Sequence, residues 1–495
     1  LLSKVLFDAR IAYLSKMKKL IFCAISIICN SHVVMSQGTL VEDTIILHLD
    51  QAGIDAVLIQ NGFPVGLLPT PYEVDVHRVV YNTPDVHGQP TTASGLICLP
   101  SQDTCAIPMM AYLHGTKVRR TETFYFLEGE WFLGVITAAS GYAMCLPDYL
   151  GLGAGPGIHP YQHAHSEATA SVDILRSCRI ICEQESKPLN DQLFLIGYSQ
   201  GGHSVLATHR MIQEELSDEF VVTASAPGSG PYDMTGAQLD MVSSFEPYSQ
   251  PGYLPFLIQS YQYVYGNLYD SIQQIYVPPY DVTLPPLLDG SVGMGEINQA
   301  MPSVPRDIFQ QDYQDAFFSD TLHPAYLALK DNDVYQWVPE APVLFNYCRN
   351  DEEVSYLNTL VASSYMTNQG ALNIDVIERD TVIGHFACAE PSIIFSKLWF
   401  DSMADLCHMG GVGIVDNTTS QRISVFPNPA SDGLIRFTNQ TPIVVSIKDL
   451  SGKTLLPPQQ IKPDGTLSVE GIRPGLVLIQ IVQENGRSTQ RLVVL

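Results

Sequence analysis

Charge is what this 495-residue chain has least of: 16% of its residues are Asp, Glu, Lys or Arg, and bases are scarcest, 26 against 51 acids. A formal net charge of −25 repels a phosphate backbone, so nucleic acid is not an expected partner. The 46% hydrophobic fraction excludes general disorder and supplies material for a large core. No C-x-x-C pair occurs, which removes the common zinc and dithiol-redox motifs. Beyond residue 36 no apolar run is long enough for a bilayer, so no transmembrane span is expected.

What is present begins with a concentration of the scarce bases. Lys4, Arg10, Lys16, Lys18 and Lys19 stand in the first 36 residues beside one acid, Asp8, leaving 21 bases against 50 acids downstream. Met17-Lys18-Lys19 opens a basic region, Leu20 to Cys29 is mostly apolar, and Val34-Met35-Ser36 offers a small-residue cleavage site before Gln37. That order reads as a secretory signal peptide over residues 1–36, with Met17 as the start and the residues before it lying upstream. Export makes disulfides possible for the eight cysteines beyond Cys23 and Cys29. Cys98 and Cys105 bracket a short turn and are placed to bridge a hairpin. Cys178 and Cys182, four apart on a predicted helix, are poorly placed to bond. Spacing leaves the pairings of Cys145, Cys348, Cys388 and Cys407 open.

A chain of this length predicts two to three domains. Residues 37–72 read as a helical, loop-rich lead-in. Val74–Tyr81 and Thr92–Leu99 read as strands joined by a turn. Pro108–Leu113, Tyr142–Leu146 and Leu193–Ile196 are short apolar runs, each leading into a helix or loop, as parallel strands buried on both faces do. Val221–Ala226, Pro342–Tyr347 and Asn373–Ile377 continue the pattern. The expected class is therefore α/β, a mostly parallel sheet with helices on both faces, for residues 37–407. The rhythm fails over about 231–337, where Tyr253, Tyr261, Tyr263, Tyr265, Tyr269, Tyr276 and Tyr280 crowd a Pro- and Gly-rich stretch. This segment reads as a cap insertion whose tyrosines and leucines either line an acyl pocket or build the insertion's own core. Ile394–Ala404 is the last amphipathic helix. A small, polar linker over 408–422 precedes short alternating strands over 423–495, a small all-β sandwich.

The chemistry concentrates at Gly197-Tyr198-Ser199-Gln200-Gly201-Gly202. An apolar strand precedes it and the helix-capable Ser204–Leu216 follows, so Gly-x-Ser-x-Gly falls on a sharp strand-to-helix turn that exposes a serine. In a surface loop the same pattern would mean nothing. A serine nucleophile needs a base, and the base needs an acid to fix its tautomer. Asp351 directly follows a strand and fits the acid. Glu352 and Glu353 compete, but their place in the next helical turn predicts solvent exposure. His385 lies in Gly384-His385-Phe386, a loop after the last strand, and fits the base. The backbone N–H of Gln200 and one from His114-Gly115-Thr116, with Thr116 ahead of Gly115, are the expected oxyanion donors. His114 itself reads as shaping the turn. His159, His163 and His165 with Glu167 invite a metal reading, but the H-E-x-x-H pattern is missing and structural roles are favoured. No metal and no cofactor are expected.

The stretch Leu146-Pro147-Asp148-Tyr149-Leu150-Gly151-Leu152-Gly153, with His159-Pro160-Tyr161, Ser166-Glu167-Ala168, Asp173-Ile174-Leu175-Arg176 and the Ser199 hexapeptide, resembles the secretory lipase family of α/β-hydrolases over roughly residues 70–405. The resemblance implies ester hydrolysis by Ser199, Asp351 and His385 without a cofactor. His114-Gly115-Thr116 looks more like bacterial members than the capped fungal triacylglycerol lipases, so the fungal substrate preference is not carried over. The tail is similar to the type A C-terminal sorting domain of the type IX secretion system. The similarity rests on Val425-Phe426-Pro427-Asn428-Pro429-Ala430, Ile447–Lys453, Gly471-Ile472-Arg473-Pro474-Gly475 and the closing Val493-Val494. It implies a Bacteroidetes source, passage through the periplasm with the type IX machinery as partner, and a product secreted or held at the outer-membrane surface.

The sequence thus leads to an exported serine hydrolase acting on small-molecule or lipid carboxylic esters, a lipase or esterase. A serine peptidase or a polysaccharide acetyl or feruloyl esterase on the same scaffold are the alternatives. A non-catalytic surface-binding protein fits an intact Ser199, Asp351 and His385 less well.

Overall fold

In a computed structural model of the chain, residues 37–495 are described except 64, 66–67, 69, 102–104, 407–424, 427–429, 431–432, 438–440, 449–453, 464, 473–474, 484–485 and 495. The expected signal peptide, the linker, Cys407 and part of the tail motif lie outside the described residues.

Among them, nine strands form one sheet: β1 (Leu40–Leu49), β2 (Val74–Pro84), β3 (Pro90–Pro100), β4 (Ile107–Leu113), β5 (Ala143–Pro147), β6 (Leu189–Tyr198), β7 (Val222–Gly228), β8 (Val343–Cys348) and β9 (Ile374–Asp380). Their order is β1-β2-β3-β5-β4-β6-β7-β8-β9. The β1, β2, β3 and β5 pairings are antiparallel, and from β5 to β9 the sheet is parallel.

The helices are α1 (Gln51–Gln60), α2 (Phe132–Ala139), α3 (Ala164–Gln184), α4 (Gln200–Glu215), α5 (Ala237–Val242), α6 (Tyr253–Tyr265), α7 (Tyr280–Thr283), α8 (Met294–Ala300), α9 (Gln311–Ser319), α10 (Pro324–Asp331), α11 (Leu357–Asn368) and α12 (His385–Asp401). The period of two along β6 sorts its side chains between two cores. Leu193 and Leu195 pack with Val172 and Leu175 of α3 and Val205 and Ile212 of α4. Phe194 and Ile196 pack with Val135 of α2 and Phe400 of α12. Each such side chain, fully buried, contributes about 1.5–3 kcal/mol. Helices on both faces of a mostly parallel sheet are the α/β arrangement expected from the strand pattern, and the one that the resemblance to α/β-hydrolases implies.

Three expectations are corrected. The helical reading of 37–72 holds only from Gln51, because Leu40–Leu49 is the edge strand β1. Its Glu42-Asp43-Thr44 and two register shifts against β2 break the alternation that would have marked a strand. Asp50 then starts α1, accepting the Gly53 N–H at 2.8 Å. Cys98 does not bridge to Cys105: it is a buried free thiol, whereas Cys105 is disulfide-bonded. The last helix starts at His385, nine residues before Ile394. Pro391 lies inside α12 rather than ending it.

Between the neighbouring strands β7 and β8 the chain leaves the sheet and forms α5–α10. Ile258, Tyr261, Ile275, Tyr276, Leu284 and Ile308 bury there in a core of their own. Val118 and Tyr161 pack with Phe256, Leu288 and Ile297 and join the insertion to the sheet loops.

The C-terminal strands are β10 (Val425–Phe426), β11 (Leu434–Phe437), β12 (Ile443–Lys448), β13 (Thr454–Ile461), β14 (Thr466–Ser468), β15 (Gly475–Gln483) and β16 (Gly486–Val494). They make two antiparallel sheets, β10-β11-β14 and β13-β12-β15-β16. Ile435, Phe437 and Leu467 of the first share a core with Val445, Ile447 and Ile479 of the second, a small β-sandwich.

Candidate active site

Ser199 lies between the last residue of β6 and the first of α4, at φ 61° and ψ −124°. A non-glycine side chain in this region is strained, and the surrounding glycines allow it. A Cβ on Gly201 would stand 1.8 Å from the Leu113 carbonyl oxygen, and one on Gly202 2.5 Å from that of Gly228. The turn is therefore pressed against β4 and β7, where only bare backbone fits. The Ser199 N–H donates to the Gly228 carbonyl at 2.9 Å, pinning the turn to β7.

His385 and Asp351 come together from the two strands beyond. Nδ1 of His385 and Oδ2 of Asp351 are 2.7 Å apart, and both residues are buried. Oδ1 of Asp351 accepts the N–H groups of Glu353 (3.1 Å) and Val354 (2.8 Å), which fixes the carboxylate. Oε2 of Glu352 accepts the His385 N–H at 2.9 Å and so caps α12. Tyr198, beside Ser199, donates its hydroxyl to the His385 carbonyl at 2.8 Å, with ring centroids 5.0 Å apart. The serine turn and His385 are thus linked through one tyrosine.

Burial, the strongest single influence on His385, pushes its pKa down. The hydrogen bond and charge of Asp351, followed by the charges of Glu353 and Glu352, outweigh it and leave the pKa raised. A disulfide joins Cys348 to Cys388 across the same two segments. Glu353 departs from expectation. No helix forms at 351–355, and Glu353 is buried with Oε2 3.9 Å from His385 Nε2, while Glu352 stays exposed.

The loop after β4 runs beside the serine: a Cβ on Gly115 would lie 3.6 Å from Ser199 Cβ. The Thr116 hydroxyl is 2.9 Å from that of Tyr161. His114 pairs with the carbonyls of Gly115 (2.6 Å) and Asp148 (3.2 Å), and burial pushes its pKa down. At the start of α4, where the first N–H groups lack intrahelical acceptors, the Gln200 side chain turns inward. It donates to Glu167 Oε1 at 2.8 Å and lies 3.1 Å from His159 Nε2. Burial pushes Glu167 up, but His203 at 2.8 Å, with bonds from Gln200 and Ser204, more than offsets it and holds the carboxyl below the usual range.

His159 and His163 have separate hydrogen-bond partners, and the His165 ring lies 6.4 Å from that of His163. His159 Nδ1 faces the Leu150 carbonyl at 2.9 Å and His163 Nδ1 the Ser166 hydroxyl at 3.0 Å; burial pushes both pKa values down to about 4. Asp148, bonded by Ser94 Oγ at 2.7 Å, is pushed up to about 6 by burial.

Ser199 opens into a cavity with about 1110 Å³ of empty space, its solvent-filled mouth included. Leu239, Leu254, Leu257, Ile258, Phe309 and Phe317 make its wall largely aliphatic and aromatic. Tyr253 and Tyr261 also face it, whereas Tyr276 packs in the insertion's core and Tyr263 meets the His87 ring at 6.0 Å. Tyr253 thus lines the cavity, Tyr276 belongs to the insertion's core, and Tyr261 belongs to both.

Sequence reasoning missed Glu353, the Tyr198 bond to His385 and the Cys348–Cys388 disulfide. One signal for the disulfide was present: each cysteine stands three residues from Asp351 or His385.

Sheet, turn and cavity define the α/β-hydrolase fold. The structure is similar to that of the rice cell wall degrading esterase LipA from Xanthomonas oryzae, at 28% identity and a TM-score of 0.66, covering 75% of this chain and 98% of that one. It also shares the fold of Candida antarctica lipase A in its closed state, at 14% identity and a TM-score of 0.55, over 75% of this chain and 83% of that one. Residues 424–495 match the secretion system C-terminal sorting domain. The chain therefore has the α/β-hydrolase fold, with lipases and esterases among its structural neighbours, and carries a tail of the kind that directs type IX export. No curated protein matches the sequence.

Proposed function

We propose that the protein is an exported serine hydrolase of carboxylic esters. Ser199 Oγ attacks the ester carbonyl as its proton passes to His385 Nε2, and Asp351 holds the ring through Nδ1 and stabilises the imidazolium. The N–H groups of Gln200 and of Thr116 or Gly115 receive the oxyanion. The imidazolium then protonates the departing alkoxide, leaving an acyl-enzyme. Water, deprotonated by His385, releases the acid and restores Ser199. The scheme consumes only ester and water.

The observation that carries this reading is a serine held at φ 61° on the wall of a cavity, tied through Tyr198 to a buried Asp351–His385 pair. The apolar wall supports an acyl chain as occupant, hence a lipid or other fatty ester. A second reading, esters borne on polysaccharide, draws on the likeness to a cell wall degrading esterase. The signal peptide, and release from or retention at the surface after type IX export, belong to the same proposal.

Hydrolysis of p-nitrophenyl esters from acetate to palmitate, wild type beside Ser199→Ala, tests the reaction. Turnover that disappears in the variant is expected, with an optimum above acetate. Folded wild type inert on every ester would overturn it, and preference for acetylated or feruloylated polysaccharide would favour the second reading.

A further inference from the structure

The segment leaving β8 presents three consecutive carboxyl residues to one histidine. Asp351 takes Nδ1 at 2.7 Å and Glu352 the backbone N–H at 2.9 Å. Glu353 Oε2 lies 3.9 Å from Nε2, the nitrogen that must take the serine proton. That distance is too long for a hydrogen bond, so Nε2 stays available to Ser199 while a negative charge stands beside it.

A carboxylate on the wall of an apolar cavity is costly to bury unless it is well paired. Glu353 is gripped from the insertion. Tyr253 Oη donates to Oε2 at 2.7 Å, Gln250 Nε2 donates to Oε1 at 3.0 Å, and Asn298 Nδ2 holds the Gln250 amide at 2.6 Å. Tyr248 Oη donates to its backbone carbonyl at 2.6 Å. Two side chains of the insertion thus hold the carboxylate itself, one on each oxygen, while Asn298 braces Gln250 and Tyr248 anchors the backbone of Glu353.

On the reading of Ser199, Asp351 and His385 given above, we propose that Glu353 is a positioning residue of the reaction. It is a second carboxylate, on the Nε2 edge of His385, that stabilises the imidazolium between the two proton transfers and is set in place by the insertion. The groups facing His385 are Asp351, Glu352 and Glu353 from the loop after β8 and Tyr198 from β6. Those facing Glu353 are His385, Gln250, Tyr161, Tyr198, Tyr248 and Tyr253. Among the described residues no lysine or arginine forms an ion pair with Asp351, Glu352 or Glu353. The charge is therefore not neutralised by direct pairing with a cation.

Glu353→Gln tests this, because its amide oxygen can still accept the Tyr253 hydroxyl. Removing the charge makes the imidazolium less stable, so His385 stays neutral to lower pH. The acid limb of kcat/KM is expected to move down by about one pH unit, with kcat lower by about tenfold. Glu353→Asp, which keeps the charge further back, should give a smaller shift of the same sign and recover most of kcat. NMR titration of the His385 ring reads the same shift without turnover. An unmoved limb and ring titration in Glu353→Gln overturn the proposal, even if activity falls. If that variant does not fold, an unmoved titration in Glu353→Asp overturns it. Failure of the underlying reading looks different: Ser199→Ala would keep its turnover.

Discussion

Cys348 and Cys388 are bonded to each other, and each stands three residues from one member of the Asp351–His385 pair. Cys348 closes β8 just before Asp351, and Cys388 sits in the first turn of α12 just after His385. The bond shortens the backbone path between acid and base to a few residues on either side. Their 2.7 Å contact therefore does not depend on noncovalent packing of β8 against α12 alone.

Cys348→Ser with Cys388→Ser is expected to cost about 2–4 kcal/mol of stability, the usual range for a native disulfide. It should also lower kcat more than it raises KM. Urea unfolding and ester kinetics on the double variant check both. An unchanged midpoint with full kcat would show the bond to be dispensable.

The pKa of His385 is raised above its ordinary 6.5, although burial opposes the rise. The base works when neutral, so the acid limb of kcat/KM is expected above pH 6.5, and activity should climb as pH rises through it. Asp351→Asn removes the largest raising influence and the acceptor that fixes the tautomer. It should lower kcat by about 10⁴. A limb at or below pH 6.5 in the wild type contradicts this.

Gly201→Ala places a methyl 1.8 Å from a backbone oxygen of β4 that no side-chain rotation relieves. A loss of about 3 kcal/mol or more is expected. Gly266→Ala, where a Cβ would meet nothing within 4 Å, is the control, although its φ of 70° carries a smaller cost of its own. Equal melting temperatures for the two variants would argue against the close approach.

Leu254→Trp fills part of the cavity wall. Turnover of palmitate ester should fall about tenfold or more while acetate ester is spared, since the change lies in the acyl path and not at the reacting atoms. A uniform drop across chain lengths would place the acyl group elsewhere.

Much of this was legible in the sequence where local rules suffice. The serine turn is readable because strand, glycine spacing and helix are adjacent in the chain. Asp351 and His385 are readable by their order after it and their place beyond strands. Glu353 was misread because three acids in a row carry no mark of which one faces inward. The insertion 100 residues earlier decides that, through Tyr253 and Gln250. Strand β1 was missed because its neighbour β2, rather than its own alternation, holds it. His385 was assigned to a loop after the last strand, yet it opens the final helix, which accommodates Pro391 six residues in.

The helical insertion departs after β7 and returns to β8, two strands that hydrogen-bond to each other directly. The sheet closes behind it, and the segment hangs from the scaffold by two adjacent stems. Its residues shape much of the cavity at Ser199, while Ser199, Asp351 and His385 all belong to the scaffold. Inheritance can therefore treat the two separately: the insertion can be exchanged or rebuilt for a new substrate without re-registering a single strand, provided that whatever replaces it still offers Glu353 a donor.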